Sequence, residues 1–160
     1  MTSYLLLSQI GLCLFMTGLI WTVQLVHYPT FAWIPADKFP AYPKFHAFRI
    51  FWITAIPMTL ELAGAIWLFF VDTSELGLVN EWLKVNLFGV LALWLATLLV
   101  SMPLHNKIQK EYSLDACQQL ARTNWIRTLI WTARSTMWLY LLYHLLGDVF
   151  GSVIRGFFGS

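Results

Sequence analysis

The chain has four histidines, and three of them stand just beyond the ends of long apolar runs. His27 and His46 bracket the stretch HYPTFAWIPADKFPAYPKFH, and His105 sits in PLHNKI. Neutral imidazole binds zinc, copper and non-haem iron, and it also serves as a general base near neutral pH. If the apolar runs are helices, the three imidazoles reach a common level, together with Tyr28, Asn106, Asn124 and Arg127. Two chemistries follow from that set. The three histidines could hold copper, iron or zinc, or two of them could ligate a haem from opposite faces. Alternatively, His27, His46 or His105 removes a proton from a bound molecule while Arg127 or Arg134 stabilises the anion that forms. No local ligand spacing such as HxxxH or ExxH accompanies them. His144 lies among Tyr140 and Tyr143 near the other end of the last apolar run, which suits an aromatic belt.

The elements that must position these residues are membrane helices. Of 160 residues, 59% are hydrophobic and 11% charged, and the mean hydropathy is +0.66; both place the chain outside the soluble class. About 20 apolar residues cross the hydrocarbon layer. Four runs qualify: Tyr4 to Val26, Phe51 to Val71, Trp82 to Met102 and Trp125 to Gly147. Every backbone amide in lipid needs an internal partner, so these runs form helices. Short connections make neighbours antiparallel. The expectation is an all-α, integral membrane, up-down-up-down four-helix bundle in one domain over residues 1–160. The first run lacks a basic leader and is long for a signal sequence, so it is read as a retained span.

Charge sets the orientation. Lys38, Lys44, Arg49, Lys107, Lys110, Arg122 and Arg127 fall in or beside the two larger loops, against Lys84 and Arg155 on the other side. The positive-inside bias puts both larger loops in the cytoplasm and both termini outside, in a plasma or bacterial inner membrane. Pro43 suits the first turn of the second helix. Ser113, followed by Asp115, suits the N-cap of a long fourth helix. Pro103 removes an amide from the third helix and leaves the carbonyl of Leu99 without its donor.

Polar residues inside the runs are costly and therefore informative. Glu61 and Arg134 reach a similar depth and are expected to pair in the bundle core, either fixing helix register or serving a ligand. Steps of three or four residues align Asn124, Arg127, Trp131, Arg134 and Trp138 on the fourth helix. The same rule aligns Cys13, Thr17, Trp21, Gln24 and His27 or Tyr28 on the first, and Thr97, Ser101 and His105 on the third. On the second the series is His46, Arg49 or Ile50, Ile53, Pro57 and Glu61. The polar stripes grow richer toward the histidine level.

Two segments, PLHNKI and TNWIRTLIWTAR, pair a PxxN motif closing the third span with an NxxR motif opening the fourth. In this combination the chain resembles the anthrone oxygenase-like family of small four-span membrane proteins, through Pro103, Asn106, Asn124 and Arg127. His105 departs from that pattern, where asparagine is expected. The resemblance implies oxidation of a flat polycyclic phenol by dioxygen. The resulting expectation is a membrane oxidoreductase or oxygenase for a lipophilic aromatic or quinone-like molecule, with His27, His46, His105 and Arg127 as catalytic residues. Asn106, Asn124, Glu61 and Arg134 would then serve binding or the polar core. The alternatives are a non-catalytic accessory subunit of a larger membrane complex, binding lipid, quinone, haem or pigment, and a haem-binding electron carrier. A net charge of +2 offers nothing to nucleic acid. Cys13 and Cys117 form no redox motif, and no pair of broken helices marks a transporter.

Overall fold

The computed structural model describes residues 2–35, 39, 41–71, 80–110 and 112–158, with side chains outside that description at Ala32, Ala41 and 148–158. Lys38 and the side chains of Asp148 and Arg155 therefore lie outside the described residues. Four long helices account for nearly all of the rest: α1 (Thr2–Thr30), α2 (Ala41–Phe70), α3 (Asn80–Lys110) and α4 (Leu114–Phe158). No strand occurs among the described residues. Three helices are long and apolar enough to cross a membrane, namely Thr2–Thr30, Tyr42–Phe70 and Asn80–Lys110. This is a membrane protein, and α4 completes its bundle with Arg127 and Arg134 turned inward.

Each helix packs on its two sequence neighbours, and α4 closes the ring on α1. Opposed side chains show the antiparallel register. Along α1, Cys13 and Thr17 meet Ser135 of α4, Trp21 meets Thr132 and Gln24 meets Asn124, so the α4 partners descend as α1 rises. Asn86 and Ser101 on α3 likewise meet Arg134 and Arg127. The inward series expected for α1, α3 and α4 is present. On α2, Ile50 rather than its alternative Arg49 is on the inner side, and one correction is needed: Ile53 faces outward, and Thr54 and Met58 take the inner positions.

Lipid tails are as apolar as leucine, so close packing and internal hydrogen bonds hold such a bundle together. Two apolar clusters fill it. One contains Leu6, Ile10, Met16, Leu68, Leu93, Trp131 and Trp138. The other, around Val23, Tyr28, Phe31, Phe39, Ile108 and Leu120, lies at the end that carries the two larger loops. The outer surface stays apolar, with Phe48, Leu99, Phe88 and Tyr143 exposed.

Local chemistry fixes the helix ends near the site. Ser113 caps α4, its Oγ accepting the Ala116 amide at 3.2 Å. Pro43 sits in the first turn of α2. Both α1 and α3 widen into a π turn, over Val23–His27 and Thr97–Ser101. There the amide of Tyr28 donates to the Val23 carbonyl, and that of Met102 to the Thr97 carbonyl. Each π turn ends two residues before a proline, in LVHYP and LVSMP. A proline offers no amide to the carbonyl four residues back and crowds it, and the wider turn relieves that crowding.

Candidate functional site

A cavity of about 520 Å³ opens where the two apolar clusters meet, lined by all four helices. That volume is in the range of small-molecule sites. Its inner wall is apolar: Met16, Ile20 and Val23 from α1, Met58 from α2 and Trp94 from α3. Its polar end is built by Tyr28, Ser101, His105 and Arg127, with Lys44, Asn106 and Gln109 at the mouth. Both π turns contribute to this wall, through Val23 on α1 and Thr97, Leu98 and Ser101 on α3. An inserted residue turns the helix that follows it, so the two bulges help set where Tyr28 and His105 arrive.

The polar end is tightly specified. Tyr28 Oη and His105 Nε2 lie 3.1 Å apart, and Tyr28 is buried. Arg127, only 6% exposed, donates through Nη1 to Ser101 Oγ and to Asn124 Oδ1, each at 3.3 Å. Its guanidinium lies over the Trp131 ring, 5.4 Å from the centroid. Asn124 donates to Gln24 Oε1 at 2.9 Å, and Gln24 donates to the Ala121 carbonyl at 3.1 Å. Two buried nitrogens here have no hydrogen-bond partner: Arg127 Nε and His105 Nδ1. Buried polar atoms are rarely left so, and both belong to residues that line the cavity.

Sequence spacing expected all three histidines at one mouth. They do come together, but in two compartments. His105 lines the cavity, whereas His27 and His46 do not. These two stack face to face, with ring centroids 3.8 Å apart and planes at 28°, against Phe31 and Tyr42. The His46 and His105 rings lie 6.0 Å apart, and Nε2 of both His27 and His46 is buried without a partner.

The arrangement corrects the metal expectation. Among the described residues no group of three His, Cys, Asp or Glu side chains is placed to hold a metal ion. Imidazole lone pairs lie in the ring plane, and two rings on one metal at about 2.0 Å meet it edge-on with their centres splayed apart. His27 and His46 instead meet through their faces. Axial haem ligation, which needs two imidazoles pointing at the iron from opposite sides, does not fit this stacked pair either.

The remaining expected residues divide by depth. Asn124 and Arg127 belong to the polar end, and Asn106 is exposed at the mouth. Arg127 is thus no loop charge, as its count among the loop cations had assumed. Glu61 and Arg134 form the expected pair deeper in the bundle, Nη1 to Oε1 at 2.9 Å. Arg134 also donates Nε and Nη2 to Asn86 Oδ1 at 3.1 and 2.9 Å, and Trp131 Nε1 donates to Glu61 Oε2 at 3.1 Å. Gln9 Nε2 reaches the Glu61 carbonyl at 3.1 Å. All four helices meet in this knot, and neither Glu61 nor Arg134 lines the cavity.

Sequence reasoning missed Asn86 and Gln9, although each is an amide inside an apolar run and could have been flagged for that reason. It also missed Pro29 as the counterpart of Pro103. His144 packs on Tyr140 and Tyr143, at 4.4 and 5.5 Å, in the aromatic cluster expected of it. Comparison of the chain with protein-family models, with curated proteins and with solved structures finds no match in any of the three.

Proposed function

We propose that this protein binds a lipophilic, oxygen-bearing aromatic or quinone-like molecule in the cavity and acts on it as a membrane oxidoreductase. The observation that carries the reading is one apolar chamber whose polar end is built by Tyr28, Ser101, His105 and Arg127. A flat apolar body suits Met16, Ile20, Met58 and Trp94, and an acidic oxygen suits the guanidinium.

The roles follow from position. His105, held by Tyr28, exchanges a proton with the substrate. Arg127, braced by Ser101 and Asn124, stabilises the phenolate or enolate left behind. Dioxygen is the oxidant that the resemblance to anthrone oxygenase-like proteins implies. With such a substrate a CH2 group becomes C=O, one oxygen atom entering the carbonyl and the other leaving as water. His27 and His46 support the site from the loop side. The two larger loops, with Lys44, Arg49, Lys107, Lys110 and Arg122 at the same end, face the cytoplasm, and both termini face outward.

The test is copurification followed by titration. Protein extracted gently from its membrane is expected to carry a hydrophobic aromatic ligand, or to bind added anthrone or quinone with quenching of Trp fluorescence. His105→Ala and Arg127→Gln should lose that binding or turnover while melting like the parent. A ligand-free chain locked to other membrane subunits, with both variants indistinguishable from the parent, would overturn the reading in favour of an accessory subunit.

A further inference from the structure

The wall residues of the cavity that are also exposed all come from α2 and α3. They are Phe48, Phe51 and Trp52 on one side and Leu98 and Met102 on the other, with Lys44 and Asn106 at the loop end. The lining residues from α1 and α4 are buried, apart from the half-buried Leu19. The packing of α2 on α3 explains the asymmetry. The two helices touch along Asn80–Ala96 and again along Met102–Lys110, but at most marginally at the intervening π turn, Thr97–Ser101. The cavity therefore opens sideways, through a slot at the level of that turn. Its rim is made of large apolar side chains, which belong against hydrocarbon.

We infer that the cavity exchanges its ligand directly with the bilayer through the α2–α3 slot, and that the ligand is a lipid-dissolved amphiphile with an acidic oxygen at one end. This rests on the reading that the cavity holds a ligand. The acidic end is set by charge. Lys44 stands at the mouth, Arg127 is buried at the polar end, and no carboxylate occurs among the described lining residues. An apolar rim lets the body pass without crossing water, and the polar end then seats against Arg127, Tyr28 and His105. The π turn of α3 has a use here: by widening the helix where α2 should pack, it holds the slot apart.

The full-length protein is reconstituted in phosphatidylcholine vesicles containing a fatty acid with a mid-chain diazirine, irradiated, and its adducts mapped by mass spectrometry. Adducts on the shielded wall, at Met16, Ile20 or Met58, are expected in addition to those on lipid-facing Phe88. Leu98→Trp, on the exposed rim, should cut the wall adducts and leave Phe88 labelling unchanged. Ala55→Trp, which fills the chamber, should remove them. A parallel sample receives 4-benzoylbenzoate from the aqueous side. Wall adducts from 4-benzoylbenzoate alone would overturn the lateral route while leaving the cavity a ligand site. Labelling of Phe88 with no wall adduct from either probe would overturn both. The unsubstituted protein decides each case, so a poorly folding Ala55→Trp variant does not blunt the test.

Discussion

Removing the Glu61 side chain tests the buried knot, and the structure sets the size of the effect. Glu61 is 1% exposed and Arg134 is 3% exposed. Glu61→Leu takes away the carboxylate that accepts from Arg134 Nη1 and Trp131 Nε1. Arg134 would then hold a buried charge against only the amide oxygen of Asn86. Stranding one partner of a buried pair costs about 3–5 kcal/mol. Arg134→Leu leaves the carboxylate buried with a single indole donor, and the cost is similar. In the double variant Glu61→Leu with Arg134→Leu no charge remains. What is left is Trp131 Nε1 and Asn86 Oδ1 without partners, at about 1–3 kcal/mol each, offset by added apolar packing. The double variant should therefore be no worse than either single one, a coupling of about 3 kcal/mol or more. Reversible unfolding in mixed micelles, with the four proteins in one thermodynamic cycle, measures it. Additive losses, with the double variant falling by the sum of the singles, would refute the reasoning.

Other expectations follow from specific contacts. A methyl group at Gly89 would stand 2.7 Å from Arg134 Cδ, and one at Gly64 would collide with the Gln9 amide. Gly89→Ala and Gly64→Ala should each lower the melting temperature, whereas Gly11→Ala and Gly18→Ala, which meet open space, should leave it level or raise it. Tyr28→Phe deletes the 3.1 Å contact to His105 and should weaken ligand binding, read by Trp quenching, without changing the melting temperature by more than a few degrees. Pro103→Ala restores an amide for the Leu99 carbonyl and favours a regular α-helix through Thr97–Ser101. That rotates His105 relative to the chamber, so binding should fall although helicity does not. Burial pushes the Cys117 thiol above its ordinary value. Its alkylation by maleimide should thus lag behind that of free cysteine at pH 7 and accelerate only as the pH rises past the usual thiol range.

Hydropathy and cost explain what was legible beforehand. A backbone in lipid must be helical, so run length alone led to four helices and their antiparallel order. The expense of burying charge made Glu61 and Arg134 a pair before any distance was known. Helical spacing put Asn124, Arg127, Trp131, Arg134 and Trp138 on one inward face because a regular α-helix has only one period. Where the helix is not regular, or a choice of neighbouring residues is open, spacing misleads. Ile53 was placed inside and points outward, and of Arg49 or Ile50 it is Ile50 that lines the cavity.

Three matters were decided only in three dimensions. Ring orientation is one: histidines at the same depth can chelate or stack, and sequence does not record which face a ring presents. His27 and His46 stack, and that removes the three-histidine metal centre. The partner of a buried amide is another, since Asn86 reveals its role only when Arg134 arrives from a different helix. The opening of the cavity is the third. The inferred slot rests on the packing of α2 against α3, which is at most marginal at the Thr97–Ser101 turn. The sequence by itself determined a membrane bundle with a polar core and a histidine-rich end, because those follow from the energy of burying each residue type in lipid. Only the tertiary structure decided which of those polar groups face a common chamber, because that depends on the distances and rotations between helices.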